Sequence, residues 1–456
     1  MTHFHLIGIG GAGMSVVAEL LADRGNTVSG SDRAESPAMD HLRSLGIDAI
    51  VGQSAENVPE GATVVVSSAI RDSNPELARA RELGLEVIHR SQALALAAEG
   101  RRFVAVAGAH GKTTTSAMLA TVLDDAGEDP SYAIGGVIRG RGTGAHLGTG
   151  DVFVAEADES DGSFLNYSPY IALVTNVEPD HLDHYGSKEA FEQAFVDFAD
   201  RIVEDGALVC CAEDDGAMRL ARRVREAGRV SVLTYGRPEQ CPEDPDCAIG
   251  AVELGARGTR FTVTLDGTTT PVEMSAPGLH NVLNGAGTFA VASLLGVDSA
   301  AIAHGLAQFG GTERRFEFRG EVGGRRLFDD YAHHPTEVAA AVAEARTVAG
   351  EGTVTVLFQP HLYSRTRNFA DRFADALSGA DEVVVTGIYA AREDPMEGVD
   401  SSLITSRLPG SHLVEDMDEA AVAAADLTSE GGVCVTMGAG SVTTLGDRIL
   451  ARWEQQ

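Results

Sequence analysis

The residues best placed to do chemistry follow the apolar run RFVAVA. They are Gly108-Ala109-His110-Gly111-Lys112-Thr113-Thr114-Thr115, with AMLATVL behind them as a helix. Backbone amides at such a helix start cradle phosphate, Lys112 reaches a transferred phosphoryl group, and a Thr113 or Thr114 hydroxyl can ligate magnesium. A full P-loop pattern wants a glycine five residues before Gly111, where this chain has Val106, so the loop is a shortened variant. Only Lys112 and Lys188 are lysines among 35 basic residues. A compact ammonium fits between phosphate oxygens where a planar guanidinium does not, which explains a lysine retained at 112. Lys188, after the turn HYGS, reads as a solvated helix residue.

The strand in VFVAEADESDGSFL runs into Glu156, Asp158, Glu159 and Asp161. Strand-end carboxylates beside a phosphate loop hold magnesium, and Glu156, nearest the strand, is the expected ligand. Glu159 and Asp161 read as a solvated charged face. IALVTNVEPDHLDHY then delivers Asn176, Asp180, His181, Asp183 and His184 into one loop, where His181 could complete a metal or phosphate site. A second glycine turn, Gly8-Ile9-Gly10-Gly11-Ala12-Gly13, ends the first strand, and Asp32 ends the second. Such glycines let the backbone approach a diphosphate at the next helix N-terminus, and alone they favour NAD, with close helix-to-strand packing as the bland alternative.

These turns must be held by strands and helices, and short β-branched runs do alternate with Ala/Leu-rich stretches, the rhythm of parallel βαβ units. The rhythm restarts at residue 3, at 101–108 and at 353–360, each restart implying a fresh sheet. The length of 456 residues suits about three domains, expected at 1–98, 99–311 and 312–456. Between Gly236 and Pro271 shorter alternating segments predict antiparallel hairpins appended to the middle domain. A formal charge of -32 opposes general binding to nucleic acid or anionic lipid, so an anionic ligand needs a local site. Five cysteines, odd in number, suit reduced thiols, and Cys241 and Cys247 lack further ligands at zinc spacing. With no basic leader and no apolar run of about 18 residues, a soluble cytoplasmic protein is expected.

In order along the chain, HLIGIGGAGM, GAHGKTTT, EADESDGSFL, TNVEPDHLDHY, GLHNVLN, ERRFE, DDYAHHPTE and FQPHLYSRT resemble the motifs of the Mur ligases of peptidoglycan synthesis, from residue 5 to about 367. Within that family the resemblance is closest to the members that join L-alanine to UDP-N-acetylmuramate. It implies an α/β protein of three domains: a Rossmann-like N-terminal domain for the UDP-sugar, a central P-loop-type ATPase α/β domain with a small antiparallel addition, and a C-terminal Rossmann-like α/β domain that closes over the reaction. It implies ATP and Mg2+ as cofactors, UDP-N-acetylmuramate and L-alanine as small-molecule partners, an acyl-phosphate intermediate, and a monomer or homodimer in the cytoplasm without nucleic acid or membrane insertion.

By resemblance, Gly8, Gly10, Gly11, Ala12 and Gly13, with Asp32, serve uridine diphosphate rather than NAD. Gly108, His110, Gly111, Lys112, Thr113 and Thr114 fall to ATP with Asn281, Asn284, Arg315 and Asp330. Thr113, Glu156 and His181 surround magnesium, and Tyr331, His333, His361 and Arg365 hold the amino acid. The chemistry of such a coupling, apart from the resemblance, asks Lys112 to stabilise the moving phosphoryl group and needs a base for the amine; His181 or His333 could serve, a choice the residues leave open. Two departures stand out: the helix EAFEQAFVDFAD lacks the carbamylated lysine of several sister ligases, and Ser441 stands where an acid is expected. The alternatives are attachment of a recycled murein peptide to the same sugar nucleotide, or an NAD-dependent oxidoreductase, which would leave Lys112 and the EADES cluster idle.

Overall fold

The computed structural model describes residues 2–179, 182–256, 258–391 and 393–456, without the side chains of Leu182 and Asp183. Parallel neighbours need a crossover, and the helices between the β-branched runs supply it. Across the first sheet the strands lie in the order Asp48–Val51, Thr27–Asp32, His3–Ile7, Thr63–Val66, Val87–His89, all paired parallel. The strand order reverses at His3–Ile7. The carboxyl end of that strand is therefore the switch point where a doubly wound sheet leaves a crevice, and Gly8–Gly13 follow it directly.

The second sheet runs Thr268–Met274, Gly258–Leu265, Cys247–Gly255, Ser231–Gly236, Ala207–Cys211, Ile171–Val174, Arg102–Ala107, Val152–Glu156, Ser131–Ala133, Ala145–His146. Its central pairs are parallel. Cys247–Gly255, Gly258–Leu265 and Thr268–Met274 are successive neighbours joined by very short connections, which only antiparallel strands permit. They are the hairpins expected after Gly236, carried a few residues beyond Pro271. The helix Lys112–Asp125 is buried nearly all round from Thr115 to Leu123, as a helix enclosed by its domain must be. Buried apolar side chains of the two sheets and of their helices form one continuous cluster, from Phe4 and Leu6 through Ala97 and Phe103 to Phe191 and Phe198.

The third sheet runs Glu317–Val322, Arg325–Asp330, Val433–Met437, Val354–Phe358, Glu382–Val385, His412–Leu413. Its first pair is antiparallel and the rest are parallel. Strand alternation serves both faces: Phe328, Val356 and Phe358 pack with the helices Pro335–Ala349 and Tyr363–Leu377, while Leu327 and Leu357 pack with Met417–Leu427 and Gly446–Glu454. The restart expected at 353 is corrected, because the hairpin 317–330 already belongs to this sheet. Its strands carry Arg, Glu and two buried acids, Asp329 and Asp330, which hide it from a search for apolar runs. The final helix, Gly446–Glu454, is where one was expected beyond 441. No helix among the described residues is long and apolar enough to cross a membrane.

The chain divides into two compact units: residues 1–251, 261–273 and 283–310, and residues 252–260, 274–282 and 311–456.

Candidate active site

In the first unit the phosphate loop is built by its glycines and by the neighbouring strand end. Gly108 has φ +131, and a methyl there would fall 2.2 Å from Thr175 Oγ1 and 2.9 Å from the Asn176 carbonyl. Gly111, at φ +84, caps the helix Lys112–Asp125, and a methyl there would meet Asn284 Oδ1 at 2.8 Å. The Asn176 side chain clamps the loop by accepting from His110 N (3.0 Å) and donating to His110 O (3.0 Å), while Thr175 Oγ1 donates to the same carbonyl at 2.6 Å. His110 Nε2 lies 3.2 Å from Glu178 Oε2. Gly108→Ala should therefore distort the loop, lowering stability by about 1–3 kcal/mol in thermal or urea unfolding and disabling nucleotide binding in calorimetry. Retained nucleotide affinity would show that the loop tolerates the methyl.

Lys112 Nζ donates to Gly108 O (2.6 Å) and to both carboxylate oxygens of Glu159 (2.9 Å each). Glu159 is 1% exposed. The reading of Glu159 as part of a solvated face is thus corrected: the turn after the strand folds it under the loop, where the ammonium neutralises it. Burial alone would lower the Lys112 ammonium, but Glu159, with Asp158 and Glu156, more than offsets this and holds it above its ordinary range. Burial pushes Glu159 up, and Lys112 pulls it back. Asp161 is corrected likewise, since its carboxylate accepts from Ser163 N (2.9 Å) and from Ser68 Oγ.

Thr113 Oγ1 donates to Glu156 Oε2 at 3.1 Å, and Glu156 Oε1 accepts from Gly135 N at 2.6 Å. A threonine hydroxyl and a strand-end carboxylate, both hard oxygen donors side by side at the loop, fit a hard divalent cation such as magnesium. His181, the third expected ligand, and Asp180 lie outside the described residues. Thr114 is half-buried in the first helical turn, Asn284 is buried near Gly111, and the Asn281 amide donates to Pro277 O at 2.6 Å.

At the other glycine turn Gly8 has φ +82, and Gly10 donates its N–H to Asp32 Oδ2 at 2.9 Å. Asp32 thus closes the turn against the second strand. Gly11 caps the helix that begins at Ala12. A methyl on Gly13 would lie 2.2 Å from the Arg90 guanidinium. Arg90, which the sequence does not single out, spans from this turn to Asp158 Oδ2 at 3.1 Å. Burial works against the Asp158 charge, yet Lys112 and Arg90 together hold its carboxyl down at about 2. One acidic loop therefore touches Lys112 of one glycine turn and Arg90, which packs against the other.

In the second unit Asp330 ends its strand and accepts from Phe316 N and Ala332 N, both at 2.7 Å. Burial pushes it up to about 6, with Arg315 opposing. The guanidiniums of Arg314 and Arg315 lie 4.8 and 5.3 Å from the centre of the Tyr331 ring. Tyr331 packs edge-on to His333 (5.3 Å), and His333 edge-on to His361 (5.5 Å). Arg365, 6% exposed, places Nη1 3.5 Å from His361 Nδ1. The four residues expected at the amino-acid pocket thus stand in one connected row. Glu337, unmarked by sequence reasoning, sits beneath it 3.7 Å from Arg315 and 3.2 Å from His333 Nδ1. Ser441 accepts a hydrogen bond from the Gln359 amide at 3.3 Å.

Comparison with known proteins matches residues 3–102 to the "Mur ligase family, catalytic domain", 106–292 to the "Mur ligase middle domain" and 314–440 to the "Mur ligase, glutamate ligase domain". The chain is 52% identical over 446 residues to a UDP-N-acetylmuramate–L-alanine ligase of Paenarthrobacter aurescens, covering 98% of this chain and 96% of the relative. A crystal structure of the UDP-N-acetylmuramate-alanine ligase of Thermotoga maritima superposes with a TM-score of 0.82 at 29% identity, covering all of both chains. A murein peptide ligase of Psychrobacter arcticus, at 24% identity and a TM-score of 0.75 over 100% and 99% of the two chains, shares the fold. Three matched domains in family order, with a relative this similar from end to end, make the chain a member of the Mur ligase family.

Proposed function

We propose that the chain is an ATP-dependent ligase joining L-alanine to the carboxylate of UDP-N-acetylmuramate, a cytoplasmic step in making peptidoglycan precursor. The observation that carries the reading is 52% identity over nearly the full length to the Paenarthrobacter relative of that name. The site supplies parts that such a reaction needs. A carboxylate is a poor electrophile, and transfer of the ATP γ-phosphoryl group to one of its oxygens gives an acyl phosphate and ADP. The ammonium of Lys112 and the loop amides behind Gly108 and Gly111 stabilise charge on the moving group. Thr113 and Glu156 would hold magnesium, which supplies charge neutralisation at the phosphates. Asn281, Asn284, Arg315 and Asp330 are assigned to the rest of ATP, and Gly8–Gly13 with Asp32 to the UDP-sugar. Arg365, His361, His333 and Tyr331 are assigned to alanine. The proposed domains run 1–98, 99–311 and 312–456.

The test is phosphate release with each reactant omitted in turn. Release should need ATP, UDP-N-acetylmuramate and L-alanine together, should stop with EDTA and return with added magnesium. A murein tripeptide in place of alanine should give at most a few per cent of the rate. Full release with tripeptide and none with alanine would overturn the substrate assignment, and NADH oxidation at 340 nm would overturn the reaction class.

A further inference from the structure

The second unit contains a carboxylate–imidazole pair, Glu337 with His333, whose carboxylate has no role in the steps above. His333 Nδ1 lies 3.0 Å from the Tyr331 carbonyl oxygen and 3.2 Å from Glu337 Oε2. Both partners are acceptors only, so Nδ1 carries the proton and the neutral ring presents its lone pair at Nε2. His361 has the opposite polarity. Its Nδ1 faces Arg365 Nη1 at 3.5 Å, and a guanidinium only donates, so the His361 proton sits on Nε2. Two neighbouring imidazoles, packed edge to face, thus offer a lone pair from one and an N–H from the other.

Glu337 is fixed for this task by the backbone. It is the third residue of the helix Pro335–Ala349, and Oε2 accepts the N–H groups of His333 (3.1 Å) and His334 (3.3 Å) in a capping box. Among the described residues, the charged or titratable groups placed against His333 include Glu337 on that helix, with Arg315 at 3.7 Å from its other oxygen, Tyr331, and His361 with Arg365 behind it.

We infer that His333 Nε2 is the base that deprotonates the incoming ammonium, and that Glu337 is the positioning residue that fixes its tautomer and ring. The inference rests on the ligase reading above. In the step, the Nε2 lone pair takes one proton from the alanine ammonium. The freed nitrogen lone pair then forms the C–N bond to the acyl carbon, and the tetrahedral adduct collapses with the C–O electron pair leaving on inorganic phosphate. The second amine proton leaves the adduct, so acyl phosphate and ammonium become amide, hydrogen phosphate and one proton.

The test compares L-alanine with hydroxylamine, an acceptor already neutral near pH 7 that needs no base. Alanine coupling should fall about 10²-fold in His333→Ala and about tenfold in Glu337→Gln, a change that keeps the capping acceptor. Hydroxylamine capture of the acyl phosphate should stay within about threefold of wild type in both. In the double variant the loss with alanine should be no greater than in His333→Ala alone, because the carboxylate acts through the ring. Equal losses with both nucleophiles, or losses that multiply in the double variant, would overturn the pair while wild-type coupling of alanine left the ligase reading standing. Wild-type enzyme that captures neither nucleophile would overturn both.

Discussion

Lys112→Ala is expected to lower phosphate release by at least about 10³-fold while UDP-N-acetylmuramate binding, followed by calorimetry, stays within about threefold. Lys112 is the one lysine or arginine of the glycine loop, and a positioned cation at a moving phosphoryl group supplies several kcal/mol of transition-state stabilisation. The UDP-sugar is assigned to Gly8–Gly13, at the switch point of a different sheet. Stability is a separate matter. Removing Lys112 leaves Glu159, 1% exposed, without its cation, and breaking a buried ion pair from one side costs about 3–5 kcal/mol. The variant should therefore melt early for a reason unrelated to catalysis. Lys112→Ala with Glu159→Gln separates the two effects: the melting temperature should recover most of its loss and phosphate release should not. Turnover near wild type in either variant would remove the loop from the reaction.

The same pair shows what sequence could and could not reveal. The βαβ rhythm, the two glycine turns and the strand-end position of Glu156 are local properties, set by residue type and spacing, and the structure places them as expected from those properties. Glu159 is different. A run of acids is usually solvated, and only the turn of the chain after Val152–Glu156 brings this one under Lys112. Arg90 is an ordinary helix-start arginine until Gly13, far away in sequence, leaves room for its guanidinium. The strand Arg325–Asp330 was hidden because its buried acids are held by hydrogen bonds instead of apolar packing, Asp330 by backbone N–H groups and Asp329 by the side chains of Arg314, Thr436 and Thr443. Glu337 lies inside a quoted motif, and the spacing from His334 is that of a capping box with histidine in place of serine. A capping rule widened to histidine would have found it, though its second role, at His333, needs the fold.

Arg365→Ala is expected to raise the apparent KM for L-alanine by about 10³-fold, with kcat at saturation and the KM values for ATP and UDP-N-acetylmuramate changed by no more than a few fold. The α-carboxylate is the one full negative charge of the acceptor, and a guanidinium fork matches it with two parallel charge-assisted hydrogen bonds. Arg365 is 6% exposed on the first turn of the helix Tyr363–Leu377, so a carboxylate bound there would be met largely out of water, where such a pair is strongest and where losing one partner costs about 4 kcal/mol. Arg365→Lys tests the geometry as distinct from the charge. A single ammonium on a shorter reach keeps the sign but not the fork, and should recover about tenfold of the loss. His361, whose Nδ1 faces the guanidinium, would lose that partner in the alanine variant and keep a donor in the lysine variant. A rise confined to the KM of the UDP-sugar would move the acceptor pocket elsewhere, and a fall in kcat with unchanged KM would make Arg365 part of the chemistry and not of binding.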